Sequence, residues 1–348
     1  MGELQRRALL GLGALGAQQK TAPATPIEWE SATLDAAVFE ALRTADRAGD
    51  RELARDYAAA MEGAYAAAGG LARRLHADGV NAEFAARLHL SRPFVEGVAA
   101  WPRVAAAAQR VFVERAAADH DEGADLREVS GGRAVHVLVR LERFAGPPGA
   151  LAHWLAHELA HVDDVVDPAF GAAPGFAWPG RTPGEQHRQR DRYRALWCFS
   201  IDARLEPRGL ARTDARARRA FVAEAFRDVP PRVLDAVTAT LSARAPTHAE
   251  LLDAAVDPCA LAAIAGVRLT PEERRELAEA KRPATCTLCA FPTTGWSRPA
   301  DWTPAMVLMV RTRKPRWSPA DGACEQCREC YESRAGAIAA AANPGGAR

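Results

Sequence analysis

The sequence predicts an α+β fold that is mainly helical, with a small Cys-rich module near its C-terminal end. Helical periodicity runs through most of residues 31–281. One short region, Leu126 to Leu141, alternates as β-strands do. From about Arg282 the chain becomes rich in Pro, Trp and Cys and loses the helical period. We therefore expect a flexible or weakly signal-like lead over 1–30, one large domain over 31–281, and the module with an Ala-rich tail over 282–348.

The composition is that of a globular protein without a strong overall charge. Its 348 residues are 48% apolar, which is enough to bury a full core. The 45 basic and 44 acidic residues give a net charge of +1, so no whole-chain field favours nucleic acid or an anionic membrane. No apolar run approaches the roughly 18 residues that a membrane span needs. A charged partner must therefore be bound by a local patch.

The N-terminal lead bears on where the protein acts. Arg6 and Arg7 precede a short, Gly-rich apolar stretch ending at Ala17, which has the outline of a twin-arginine export signal. A frayed amphipathic start accounts for the same residues, because the apolar stretch is short for a signal. Five of the seven cysteines lie in the last quarter at metal-binding spacing, which favours a reducing compartment. We expect a cytoplasmic protein, with export as the open alternative.

The first predicted elements form a helical scaffold from Ser31 to about His120. Gly69, Gly79 and Pro93 each mark a predicted break between helices. Histidines in this part have no partners at ligand spacing, so we assign it a packing role.

A β-hairpin and two long helices are predicted next. The strands, 126–130 and 134–141, are joined by a tight turn at Gly131-Gly132. The first helix must end by Asp167, because the following Pro168 disfavours helical geometry in the residue before it. The second begins near Thr182 with a capping-box pattern and ends at Pro207.

The first of these helices carries the motif His157-Glu158-Leu-Ala-His161. Two histidines four residues apart lie on one helical face and can hold one zinc ion. Glu158 is rotated by about 100° from His157, where it can take a proton from a zinc-activated water without being a ligand. His153 lies about 12 Å along the axis from His161, too far to share the ion, and is a weak candidate for substrate contact. The alternative is a surface helix with ordinary histidines.

In these residues the chain resembles the zincin superfamily of metallopeptidases, over roughly Leu126 to Leu210. The resemblance implies a strand before the motif helix, a third zinc ligand further along the chain, and hydrolysis of protein or peptide substrates. In the metzincin branch that ligand would be Asp167, but Asp164 stands where the branch has a chain-turning Gly. The gluzincin-like branch takes its third ligand from a second helix.

The second helix offers two carboxylates four residues apart on one face, Asp202 and Glu206. We expect one to bind the zinc and the other to orient a ligand histidine, without deciding which does which. The alternative is that both are surface carboxylates paired with Arg204 and Arg208.

The Cys-rich module predicts a second zinc site. Two C-x-x-C pairs can close a tetrahedral, structural Zn²⁺ site, and they resemble those of zinc ribbons and treble-clef modules; the four thiols are Cys286, Cys289, Cys324 and Cys327. Cys330 lies outside the two pairs and is either not a ligand or a substitute for one of the four cysteines. An iron–sulfur cluster would need a further cysteine near Cys330 followed by Pro. We expect Cys198 and Cys259 to be buried apolar residues.

Basic and aromatic residues also occur together in the module. This pattern is compatible with stacking on single-stranded nucleic acid, and equally with the surface of a small module; the residues are Trp296, Trp302, Arg311, Arg313, Lys314, Arg316 and Trp317. A second Arg-rich stretch, 181–219, is typical of a solvated helix surface. The preferred interpretation is a zinc metallopeptidase. The alternative is a non-catalytic zinc protein that binds nucleic acid or a protein partner through the module.

Overall fold

A computed structural model describes residues 25–67, 69–147, 149–172, 176–180, 183–279 and 284–342. The fold is mainly helical with small sheets, as the sequence predicts. Arg6 and Arg7 lie outside the described residues. The predicted lead extends too far, because Ile27–Trp29 form strand β1 and pair with the central sheet.

Five helices form the N-terminal scaffold: α1 (Ser31–Arg47), α2 (Arg51–Ala66), α3 (Gly70–Arg87), α4 (Arg92–Ala99) and α5 (Pro102–Ala107). The predicted breaks near Gly69 and Pro93 separate helices, whereas the break at Gly79 is wrong. Gly79 lies inside α3, where burial of Val80 and Phe84 outweighs the roughly 1 kcal/mol that a helical glycine costs.

A four-stranded sheet follows the scaffold. Its remaining strands are β2 (Arg110–Arg115), β3 (Gly123–Val129) and β4 (Gly132–Val139). The strand order is β1-β2-β4-β3, and only β3, at one edge, is antiparallel to its neighbour. The predicted hairpin is present, and its turn uses positive φ at Gly131 and Gly132. Strand β2 corrects the all-helical prediction, since Val111 and Val113 point into the core with the two-residue period of a strand.

Helix α6 (Ala150–Val166) packs against one face of the sheet and carries the motif. Trp154, Leu155 and Leu159 are buried against valines of β2 and β4. This apolar contact fixes which face of α6 points away from the sheet. The helix ends before Asp167, as Pro168 predicts.

Helix α7 (Pro183–Leu205) lies at the centre of the remaining helices: α8 (Ala215–Ala225), α9 (Pro231–Ala243), α10 (His248–Val256), α11 (Pro258–Ile264) and α12 (Pro271–Glu279). Leu196 and Phe199 of α7 join their common core. Ile201 and Leu205, on another face of α7, pack against Ala156 of α6. The two helices predicted to carry the site are therefore packed together. Among the described helices, none is both long and apolar enough to cross a membrane.

The Cys-rich module has a small core of its own. It contains strands β5 (Ala284–Thr285) and β6 (Pro292–Thr293) and helices α13 (Pro304–Arg311) and α14 (Glu325–Ala342). Trp302 and Trp317 pack edge to face in this core, at 4.6 Å between ring centroids. The module rests on α7, where Trp296 covers Gly184 so closely that a Cβ there would overlap the indole. His187 of α7 also forms a hydrogen bond with the carbonyl of Asp321.

Candidate metal and hydrolytic site

Helix α6 brings the two histidines of the motif together. His157 and His161 lie one turn apart, and their Nε2 atoms are 3.2 Å from each other. The ring of Trp197 packs against His161 at 4.2 Å between centroids, which limits how the imidazole can rotate. Two imidazole nitrogens at this separation are placed to bind one metal ion.

Helix α7 adds a third donor, the thiol of Cys198. Its Sγ lies 3.6 Å from Nε2 of His161. The donor atoms of His157, His161 and Cys198 all lie within 4.8 Å of one another. These three residues are called the histidine site below.

Asp202 lies one turn after Cys198 on α7 and holds the His157 ring by a hydrogen bond to its Nδ1. Its Oδ1 accepts a hydrogen bond from Nδ1 of His157 at 2.7 Å, and only 3% of the residue is exposed. The carboxylate also accepts from the Thr213 hydroxyl at 2.6 Å and from the backbone N–H of Arg212 at 3.2 Å. When the imidazole is neutral and Nδ1 donates to Asp202, the lone pair of His157 is on Nε2, the atom that faces His161.

Opposing effects set the protonation of these groups. Burial would lower the pKa of His157, but the hydrogen bond with Asp202 and the contact with Cys198 outweigh it and raise the pKa to about 9. Burial and the positive charges nearby lower the pKa of His161 well below its usual value. Burial would raise the pKa of Asp202, but its three donors lower it. Metal binding at His157 would therefore release a proton.

Two of the three donor–donor distances of the histidine site match those of a tetrahedral zinc ion. With Zn–N bonds of about 2.05 Å and Zn–S bonds of about 2.3 Å, tetrahedral angles put two nitrogens about 3.3 Å apart and a nitrogen and a sulfur about 3.6 Å apart. The distances here are 3.2 Å for the two Nε2 atoms and 3.6 Å for His161 Nε2 and Cys198 Sγ. Three protein donors are typical of catalytic zinc sites, which keep a fourth position for water or substrate.

Glu158 follows the first histidine, and its side chain reaches a cleft of about 1240 Å³. Burial raises the pKa of its carboxyl, while the charges of His157 and of Arg212 oppose this effect. Nη1 of Arg212 donates to Oε1 of Glu158 at 3.4 Å. The carboxylate is thus beside the histidine site and open to the cleft without belonging to the donor set.

Three different parts of the chain form the walls of this space, which is called the cleft below. Strand β3 contributes Ala124, Asp125 and Leu126 on one side. Helix α7 forms the second wall, and the segment 313–317 of the Cys-rich module forms the third. The motif and the module, far apart in the sequence, thus face the same space.

Other residues predicted for the site lie elsewhere. Glu206 follows the end of α7, and its carboxylate accepts from Arg218 at 2.5 Å instead of joining the donor group. Asp167 pairs with Arg103 at 2.7 Å. His153 is exposed and is not among the residues that line the cleft. The structure therefore does not bring these three side chains to the histidine site.

The structure corrects the predicted burial of Cys198. The residue is half-buried rather than buried, and its sulfur faces His161. A usable signal existed, because Cys198 and Asp202 are four residues apart and so share one helical face. The carboxylate on that face accepts a hydrogen bond from His157, and the thiol beside it is one of the three donors that could hold a metal ion.

The four cysteines of the two C-x-x-C pairs form a second group, called the cysteine site below: Cys286, Cys289, Cys324 and Cys327. Sulfur atoms across the two pairs are 3.9 Å and 3.8 Å apart, close to the roughly 3.8 Å of a tetrahedral zinc–thiolate site. The first pair follows β5 and the second opens α14. Cys330 is exposed on α14 and is outside the group.

Backbone N–H groups stabilise a thiolate at the cysteine site. The N–H of Cys324 donates to Sγ of Cys286 at 3.2 Å, and that of Leu288 donates to the same sulfur at 3.4 Å. Burial would raise the pKa of Cys286, but the backbone N–H groups of Cys289, Cys324 and Leu288 lower it to about 7. A thiolate is the form that binds metal.

Comparisons with protein family models, with curated proteins and with solved structures found no match for this chain. Among the described residues, the histidine site and the cysteine site are the two groups that could hold a metal ion. The function is therefore inferred from the geometry of the chain itself.

Proposed function

We propose that the protein is a zinc-dependent hydrolase that cleaves peptide bonds. The observation that carries the proposal is the position of Glu158, a half-buried carboxylate beside a three-donor site and open to a large cleft. A purely structural metal site has no need of such a carboxylate. A hydrolytic site needs one as its general base.

In this proposal each residue has one task. His157, His161 and Cys198 hold the zinc ion, which when bound polarises the substrate carbonyl and lowers the pKa of water. Glu158 accepts the proton of the attacking water and returns it to the leaving nitrogen. Asp202 keeps His157 in the tautomer that leaves Nε2 free for the metal.

The shape of the cleft favours a peptide over a small molecule. Its volume of about 1240 Å³ exceeds the roughly 300–1,000 Å³ typical of small-molecule pockets. Strand β3 lies along it as the edge of the sheet, paired only with β4 among the described strands. An edge strand offers backbone N–H and C=O groups to an extended chain. The cleft can therefore align a peptide beside Glu158.

The resemblance to zincins stays part of the proposal. In its favour, an edge strand, the motif helix and a second helix with a donor occur in that order. The third donor departs from the gluzincin pattern, because Cys198 takes the place expected for Asp202 or Glu206. We propose that Asp202 has only the orienting role.

We assign the cysteine site a structural zinc ion. Four thiols leave no open position, and Cys286 and Cys324 are buried in the module core. The ion would hold the module together against α7 and so keep one wall of the cleft in place. A reducing compartment, as predicted from the sequence, would keep both sets of thiols able to bind metal.

Replacement of Glu158 by Gln tests the proposal. Glu158→Gln keeps the size of the side chain but removes the proton acceptor, so peptide cleavage should fall roughly 10²- to 10⁴-fold. Zinc content should stay at two ions per chain. Cleavage of a peptide library by zinc-loaded protein at neutral pH is measured by mass spectrometry, with Glu128→Gln, an exposed carboxylate on β3, as the matched control.

Two outcomes would contradict the proposal. One is a zinc-loaded wild-type protein that cleaves no member of the library. The other is a Glu158→Gln protein that cleaves at the wild-type rate.

A thiol mechanism is the second candidate, because Asp202, His157 and Cys198 also have the residue types of a carboxylate–imidazole–thiol series. Its activity would survive a chelator and Glu158→Gln, and alkylation of Cys198 would abolish it. The proposed hydrolase is expected to lose activity with the chelator and recover it when zinc is added. The two mechanisms are thus separated by one chelation experiment.

A further inference from the structure

The cleft is rich in cationic side chains. Three come from α7 and the loop that follows it, and three come from the Cys-rich module: Arg190, Arg194, Arg212, Arg313, Lys314 and Arg316. Because the whole chain has a net charge of only +1, this concentration is local. Six carboxylates line the cleft as well, so its attraction for a charged ligand depends on which of these groups are paired: Asp121, Glu122, Asp125, Glu158, Asp191 and Asp321.

Three of the carboxylates form ion pairs with arginines, Glu158 with Arg212 at 3.4 Å among them, whereas several cations form none. Glu122 pairs with Arg143 at 2.8 Å and Asp125 with Arg127 at 3.0 Å. In contrast, four lining arginines form no ion pair with any described residue: Arg190, Arg194, Arg313 and Arg316. Asp191 lies between two of them on α7 and offsets one charge. These four arginines are therefore free of ion pairs within the described protein and can bind a carboxylate of the substrate.

The arginines of α7 lie at regular distances from the proposed metal ligand. Arg190, Arg194 and Cys198 are spaced by four residues and share one face of the helix. Arg194 is therefore about 6 Å along the axis from Cys198, and Arg190 about 12 Å. An extended peptide advances about 3.3 Å per residue, so these distances match two to four substrate residues.

The indoles of the module argue against nucleic acid as the ligand of these cations. Trp302 and Trp317 are buried in the module core, and Trp296 lies over Gly184 of α7. Binding of single-stranded nucleic acid draws on exposed aromatic rings on which bases stack. These three rings are occupied by contacts within the protein.

We propose that the substrates are peptides with an Asp or Glu side chain within about four residues of the bond that is cleaved. The carboxylate would be bound by Arg190 and Arg194 from α7 and by Arg313 and Arg316 from the module. This inference rests on the proposed peptidase function and names its substrate class. It gives the module a direct part in recognition.

The test compares pairs of peptides that differ only in Glu against Gln at one position. For wild-type protein we expect kcat/KM to be about tenfold higher for the Glu peptide at low salt, and the ratio to shrink as salt screens the charges. The double variants Arg190→Gln/Arg194→Gln and Arg313→Gln/Arg316→Gln should each lower the ratio at least threefold. Arg74→Gln, an exposed cation on α3 outside the cleft, is the matched control and should leave it unchanged.

A binding measurement separates this inference from the peptidase proposal. Zinc-loaded Glu158→Gln should bind a fluorescent Glu-containing peptide more tightly than its Gln counterpart, measured by anisotropy. Cleavage of both peptides at equal rates would overturn the inference and leave the peptidase standing. If no peptide is cleaved but the Glu peptide still binds better, the peptidase proposal fails while the acidic preference stands. Single-stranded DNA that binds more tightly than the acidic peptide, through the same arginines, would overturn the inference.

Discussion

Replacement of Asp202 probes the support behind the proposed metal ligand. Asp202→Asn keeps the volume of the side chain, and an amide oxygen in place of Oδ1 can still accept from His157 and from the N–H of Arg212. The Thr213 hydroxyl, which donates to Oδ2, can rotate to accept from the new NH₂ group. The change therefore removes the negative charge and little else.

The expected size of the effect follows from that charge. Charge-assisted hydrogen bonds are about twice as strong as neutral ones, and losses behind a metal ligand commonly cost about 10- to 100-fold in affinity. We expect about a tenfold loss of zinc affinity for Asp202→Asn. Asp202→Ala leaves three donors without their acceptor, so we expect a loss of about 100-fold and about 2 kcal/mol of folding stability.

Zinc affinity at the histidine site is measured by competition with a chromophoric chelator while the cysteine site is kept filled. Stability is measured by urea unfolding of the same samples. Thr213→Val removes only the donor to Oδ2 and serves as the control, with an expected change in affinity below threefold. If Asp202→Ala binds zinc as tightly as the wild type, the orienting role of Asp202 is wrong.

Three further changes test other parts of the site. Cys198→Ala should lower zinc affinity at the histidine site at least 100-fold, while Glu206→Gln should change it less than threefold. If the competition titration gives the reverse result, Glu206 and not Cys198 is the ligand. Cys289→Ser should lower the zinc content from two ions to one in elemental analysis, and a protein that keeps both would contradict the assignment of the cysteine site. Gly184→Ala places a methyl group where the module indole lies, so we expect urea unfolding to show a loss of about 1–3 kcal/mol; unchanged stability would mean that the module does not rest on α7.

The helices and strands around the motif could be predicted, because the local sequence patterns in that region all indicate the same secondary structure. The hairpin turn at Gly131 and Gly132 and the stop before Pro168 each depend on neighbouring residues only. The sequence also predicts helix α7, since its apolar positions repeat over several turns. The relation of Glu158 to the two histidines follows from helical geometry alone.

Strands β1 and β2 could not be predicted in the same way. Ile27 pairs with Val111, more than eighty residues further along the chain, so β1 is stabilised by a contact that no local pattern records. Strand β2 follows an Ala-rich helical region closely, and its six residues are too few to stand out from it.

The third donor depends on packing between helices. The sequence pattern places Cys198 and Asp202 on one face of α7 with Glu206 just past its end, but the packing of α6 against α7 decides which of them meets His161. The third wall of the cleft depends on a still longer contact, between α7 and the module. Neither of these two packing contacts can be recognised from the spacing of residues in the sequence.

The residues that form the third wall of the cleft, 313–317, are synthesised after those of the histidine site. Translation proceeds from the N-terminus, so α6 and α7 are complete at residue 205, more than a hundred residues before Arg313 of the wall emerges. During that interval a nascent chain can pair its histidines and Cys198 while the cleft is still open on one side. The second cysteine pair, Cys324 and Cys327, is synthesised later still. On the ribosome, the parts assigned to cleavage therefore precede the parts assigned to selectivity.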